Sequence, residues 1–126
     1  MNKRIVIGAL ILFITAIILG AFGAHGLKEY LNSEQLASFE VGVRYQFFQS
    51  LALLIVGLNA EKLNFELSNF YLFSIIAILL FSGSIYLLSI ANVFNWNKAF
   101  IGPITPIGGL ILTINWTVLL IKITKK

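Results

Sequence analysis

Residues 5–24 read IVIGALILFITAIILGAFGA, a run without a single charge. At about 1.5 Å per residue, a helix of this length crosses the roughly 30 Å hydrocarbon core of a bilayer. The basic start Met1-Asn2-Lys3-Arg4 precedes it. Basic residues, an apolar run and the small-residue triplet Ala21-Phe22-Gly23 also resemble a secretory signal. The run exceeds the usual signal core in length, so the expectation is a retained membrane span.

The composition points to the same solvent. The 126 residues are 59% hydrophobic and 11% charged, against about 25% charged in an average soluble domain. Mean hydropathy is +0.94. A small globule has much surface for its volume and needs polar groups to cover it, so a soluble monomer is excluded. Disorder, which needs low hydrophobicity, is excluded too. The chain has no Cys, hence no thiol or disulfide chemistry of its own. Its net charge of +4 is spread along the chain. Lipid headgroups, not nucleic acid, are the expected counter-charge.

Outward from the first run, residues 25–39 are mixed and polar. Asn32-Ser33-Glu34-Gln35 has the pattern of a helix start, with Asn32 as N-cap and Gln35 three positions later. That helix is expected to run to about Asn59, with its membrane part beginning near Glu40 to Arg44. Glu40 precedes Arg44 by four residues, the favoured order for a pair on one helix face. Glu61 to Asn69 is a polar loop, Phe70 to Ala91 a third apolar run, and Asn92 to Lys98 a turn. In that turn Trp96 suits a membrane boundary. Gly102-Pro103 opens a fourth run ending near Ile121, and Pro103 and Pro106 fit a first helical turn. The expected fold is an all-α membrane protein. It is one domain, residues 1–126, forming an antiparallel four-transmembrane-helix bundle with spans at about 5–24, 41–60, 70–91 and 103–121. Four crossings place both termini on one side, with Lys3, Arg4, Lys62, Lys122, Lys125 and Lys126. Lys28, Arg44 and Lys98 lie on the other, so both termini are expected to be cytoplasmic.

Helices in lipid associate by close packing and interhelical hydrogen bonds. Ala16, Gly20 and Ala24 make one smooth stripe at four-residue spacing; Thr105, Gly109, Thr113 and Thr117 make another. Either holds the bundle together or forms an interface between copies. Gln46, Gln49 and Ser50 share a face of the second helix. With Ser82, Ser84 and Asn115 they are expected to turn inward and bond across the bundle, since lipid offers them no partner. Such a set serves as a polar clamp or lines a small polar pocket. His25, at the exit of the first run, is the only His. Metal sites take three or four ligands, so no metal, cofactor or catalytic set is expected. The candidate binding patch is the outer end of helices one and two, where His25, Glu40, Arg44, Tyr45, Gln46 and Gln49 are expected to converge.

Several segments carry a resemblance. They are Gly20-Ala-Phe-Gly-Ala-His-Gly-Leu27, Tyr45-Gln46 with Ser50-Leu51-Ala52, Phe81-Ser-Gly-Ser-Ile-Tyr86, and Thr105-Pro-Ile-Gly-Gly109 with Trp116. Together they resemble the domain-of-unknown-function family four-two-three, small bacterial membrane proteins of the YgdD/YwdK type with a eukaryotic transmembrane relative. The resemblance covers all four spans. It implies a multi-pass protein of the bacterial plasma (inner) membrane, and a similar staphylococcal protein's link to membrane integrity implies a role of that kind. The family pattern has His where this chain has Gln49, and Gly where it has Asn115. Gln keeps hydrogen-bonding capacity and loses titration near neutral pH.

Three functions compete. The first is a non-enzymatic protein supporting membrane and envelope integrity through contacts with lipids, a membrane-protein partner or a second copy. The alternative is an oligomeric small-molecule or ion transporter or channel, for which no Glu lies in mid-span. The third is an enzyme using His25 with Glu40, which lacks a nucleophile, metal set and oxyanion motif.

Overall fold

In the computed structural model, which describes residues 1–125, the chain is helical throughout its long segments, with no strand among the described residues. Lys126, counted above with the cations at the termini, lies outside them. Helix α1 spans Lys3–His25, α2 Ser33–Leu58 and α3 Ser68–Phe94; a short α4, Lys98–Ile101, leads into α5, Ile104–Thr124. Four segments are long and apolar enough to cross a membrane: α1, α2, α3 and Lys98–Thr124. The helices overrun the expected spans at several ends because helical hydrogen bonding continues past the hydrocarbon. The 26 residues of α2 make a rod of about 39 Å.

Local chemistry sets the ends. The Asn2 side chain accepts from the Ile5 N–H and caps α1. At α2 the expected capping box forms: Asn32 Oδ1 accepts from Gln35 N at 2.8 Å, and Gln35 Oε1 accepts from Asn32 N at 2.9 Å. Helix α3 stops at Asn95, whose φ of 56° places it in the left-handed region that Asn tolerates better than most residues. The turn expected over Asn92 to Lys98 is thus shorter, because Asn97 caps the extra helical turn α4 by accepting from the Ala99 N–H. Pro103 is the N-cap of α5.

Neighbours in sequence pack as neighbours in space: α1 on α2, α2 on α3, and α3 on α5. The Asn2 N–H donates to the Gly57 carbonyl, and the Asn115 amide donates to the Phe70 carbonyl. The start of one helix therefore meets the end of the next, an antiparallel arrangement with both termini at one end. Helices α2 and α3 form the middle; α1 and α5 flank them. Ile5, Ala9, Leu53, Phe70, Ile78 and Leu112 fill the core toward the termini. Leu27, Leu31, Phe39 and Val43 fill a second cluster at the opposite end. Gly108 lets α5 touch α3: a Cβ there would stand 2.9 Å from the Leu80 carbonyl carbon. The outward faces stay apolar. Ile11, Ile18, Ile55, Leu79 and Leu110 are each more than half exposed, the distribution a lipid solvent requires.

Candidate functional site

The polar side chains of the spans sit between the helices. Gln46 on α2 is 5% exposed. Its Nε2 donates to the Leu12 carbonyl at 2.8 Å and to Thr15 Oγ1 at 2.7 Å, both on α1. Its Oε1 accepts from the Tyr86 hydroxyl of α3 at 2.7 Å. One carboxamide thus ties three helices. One turn along, Gln49 Oε1 accepts from the Trp116 indole N–H of α5 at 2.9 Å. Asn115 Nδ2 donates to the Phe70 carbonyl at 3.0 Å and Ser74 Oγ at 2.8 Å. Ser82 Oγ donates to the Gly42 carbonyl at 2.9 Å, and Ser84 Oγ shares a hydrogen bond with Thr105 Oγ1. Ser50, also buried, instead donates to Phe47 in its own helix. Among the described residues every fully buried side-chain nitrogen and oxygen has a partner.

The six residues of the candidate patch do not gather. Gln46 is buried and Gln49 half-buried, whereas His25, Glu40, Arg44 and Tyr45 are exposed. Helical geometry explains the division: residues two apart differ by about 200° around the axis, so Arg44 and Gln46 look opposite ways. The expected Glu40–Arg44 pair is absent; among the described residues the ion pair formed is between the Met1 amine and Glu61. An exposed pair four residues apart on a helix, as Glu40 and Arg44 would make, is worth only about 0.3–0.5 kcal/mol, too little to fix two long side chains. Tyr45 lays its ring edge-on to Phe81 at 5.0 Å. Glu40 and Arg44 border a shallow groove of about 360 Å³ between α1 and α2, with Gly20, Val43, Phe47 and Phe48 in its walls.

Of the small residues, Ala16 is fully buried and Ala24 exposed. A Cβ on Gly20 would stand 3.3 Å from Val43, and one on Gly109 would stand 3.2 Å from the Phe81 ring. Thr113 is exposed and donates to the Gly109 carbonyl of its own helix. The buried line of α5 is Gly108, Leu112, Asn115 and Leu119, one residue round from the expected stripe. Sequence reasoning passed over Thr15, Ser74 and Tyr86. Their signal was available: Thr15 is the only hydroxyl within the first apolar run, and Tyr86 the only Tyr in the inner part of the third. Glu66, in the loop before α3, accepts from Ser68 Oγ at 2.5 Å. That bond, with a second from the Ser68 N–H and the nearby Lys122, holds its carboxyl below the ordinary value of 4.5. No three His or Glu side chains come together among the described residues.

A family model described as a protein of unknown function, DUF423, matches residues 19–109, from late α1 to early α5. The chain belongs to this family. Among its relatives, a UPF0382 membrane protein of Staphylococcus epidermidis is 37% identical over 99% of this chain and 98% of its own length. The UPF0382 membrane protein YwdK of Bacillus subtilis is 34% identical over the same shares. A UPF0382 membrane protein of Haemophilus influenzae is 40% identical over 91% of this chain and 88% of its own. No solved structure matches the chain. The chain is thus a membrane protein of a family found in bacteria, and that family carries no named enzymatic activity. The Gln49 oxygen serves the Trp116 indole. Asn115 bridges α5 to α3.

Proposed function

We propose that this DUF423 member is a non-enzymatic protein of the bacterial plasma membrane, with cytoplasmic termini, that supports membrane integrity through contacts with surrounding lipid. One observation carries the reading. The buried polar side chains of the spans find their partners inside the bundle, with Gln46 joining three helices, while the faces turned outward are mostly apolar. Such a molecule offers the bilayer a fixed shape. The test is deletion of the gene in its host, followed by uptake of an impermeant dye. Raised uptake, restored by the full-length chain and also by the Gln49→Ala variant, is expected. Unchanged uptake, or solute flux by purified protein in proteoliposomes that Glu40→Gln abolishes, would replace this reading with the transporter.

A further inference from the structure

Arg44 lies deep in the span. Its neighbour Gln46 bonds to Leu12 and Thr15, near the middle of the charge-free run 5–24. Its neighbour Tyr45 packs its ring on Phe81, near the middle of α3. Two helical residues rise about 3 Å, so Arg44 stands only a few ångströms from the level where the three helices are halfway across. Glu40 is six residues from Gln46, about 9 Å toward the end opposite the termini, and half of a roughly 30 Å hydrocarbon core extends further than that. Both side chains are exposed on the outside of the bundle. Among the described residues neither has an ion pair or a side-chain hydrogen bond. Charges at such depth are rare, and they are found paired or turned inward, since acyl tails offer them no partner. The two belong to a longer line. Glu40, Arg44, Phe48, Leu51 and Ile55 follow at spacings of four, four, three and four, which puts them on one face of α2. All five are exposed.

We propose that this face of α2 packs against the same face of a second copy, with Arg44 of each copy paired to Glu40 of the other. Charge complementarity selects the occupant. Whatever covers the face must bring both a cation and an anion into the hydrocarbon at matching depths. A second copy does so by symmetry: a two-fold axis along the bilayer normal holds every residue level with its own equivalent. The face carries one positive and one negative charge and is therefore complementary to itself. Helical side chains lean toward the N-terminus of their helix, which carries the Arg44 guanidinium toward the level of Glu40, one turn away. There its planar fork of N–H donors meets the carboxylate oxygens of the other copy. Screening by water is weak at this depth, so the reciprocal pairs attract more strongly than an exposed pair on one helix. Below them Phe48, Leu51 and Ile55 continue the seam.

The test uses the full-length chain, diluted in phospholipid vesicles, with one fluorophore on Lys125→Cys; the sequence has no other Cys. Photobleaching steps then count copies. Two steps are expected. Glu40→Gln and Arg44→Gln should each weaken the association by about tenfold or more. Both positions are exposed, so the variants keep the bundle, which a thermal melt in detergent verifies. Glu40→Arg leaves the face with two cations and Arg44→Glu leaves it with two anions. Each of these, folded, should be monomeric alone, and a mixture of the two should give mixed dimers. Pairing within one helix predicts no such rescue. In a chain without the label, Leu51→Cys should oxidise to a cross-linked dimer and Leu110→Cys, on the outward face of α5, should not. A single step for the unaltered chain overturns the proposal and leaves the charges to lipid or to a different protein. Two steps that survive both Gln variants also overturn it. So does a mixture of folded charge variants that stays monomeric, or a cross-link at Leu110→Cys in place of Leu51→Cys. Dye uptake in the deletion host neither requires nor excludes a dimer, so this inference and the proposed function fail separately.

Discussion

Gln46 concentrates more of the interhelical bonding than any other side chain, because its carboxamide is both donor and acceptor and reaches α1 and α3 at once. Replacing it with Leu keeps the bulk and leaves the Tyr86 hydroxyl without its acceptor. Hydrogen bonds between membrane helices contribute about 0.6–2 kcal/mol each. Gln46→Leu is therefore expected to lower stability by about 2 kcal/mol, read as a fall in the detergent thermal midpoint. A midpoint at or above that of the unaltered chain would show that the bonds contribute nothing net. Glu66 gives a pH-dependent counterpart outside the membrane. Its carboxyl is held below 4.5 chiefly by Ser68, so the charged form is favoured in the folded state. The contribution is fully present above the unfolded value and is lost as pH falls through the lower folded one. In a carboxyl-carbon NMR titration Glu66 should therefore ionise at lower pH than a free Glu, and Ser68→Ala should raise its midpoint toward 4.5. An unmoved midpoint in that variant would assign the shift to the backbone N–H groups of Ser68 and Leu67, with Lys122, instead.

The helices show how much the sequence disclosed at the level of elements. The capping box at Asn32 and Gln35 was legible because it is local: two side chains and two backbone N–H groups within four residues settle it. Asn32→Ala should cost about 1 kcal/mol, seen as faster hydrogen exchange in the first turn of α2. Wild-type exchange there would mean that the loop, and not the cap, holds the helix start. The inward turn of Gln46 and Gln49 was legible too, since lipid leaves such groups no alternative. The face of α5 was not. Three- and four-residue spacing suits both the line through Gly109 and Thr113 and the line through Gly108, Leu112 and Asn115, and their rotation differs by about 100°. What selects the second is the approach of the α3 backbone at Leu80 and Phe81, a contact between distant segments that no local pattern encodes. Gly108→Leu must push α3 and α5 apart and is expected to cost at least the 1–3 kcal/mol of an overpacked core. The matching change at exposed Thr113 should be nearly neutral. Equal thermal midpoints for Gly108→Leu and Thr113→Leu would refute that order of importance.

At the scale of the whole molecule, the same apolar runs that revealed four crossings left their mutual arrangement open. A chain hydrophobic on nearly every face of its helices carries little amphipathic signal to say which face meets which neighbour. The buried amides and glycines supply that information, and they place α2 and α3 in the middle with both termini at one end. Which side of the bilayer that end occupies is a question of charge. Lys3, Arg4, Lys62, Lys122 and Lys125 lie at the end with the termini, and Lys28, Arg44 and Lys98 toward the other. Basic residues are retained on the cytoplasmic side, so the termini should face the cytoplasm. The chain has no Cys, which makes the test clean, since every label then reports one introduced thiol. In intact cells an impermeant maleimide should modify Lys98→Cys and Lys28→Cys promptly. It should reach Lys62→Cys and Lys125→Cys only after the membrane is opened. Labelling in the reverse order would turn the molecule over, putting the termini outside with the geometry of the bundle unchanged. Labelling of both ends in intact cells would instead mean two orientations. The excess of basic residues at the terminal end would then be too small to fix the topology.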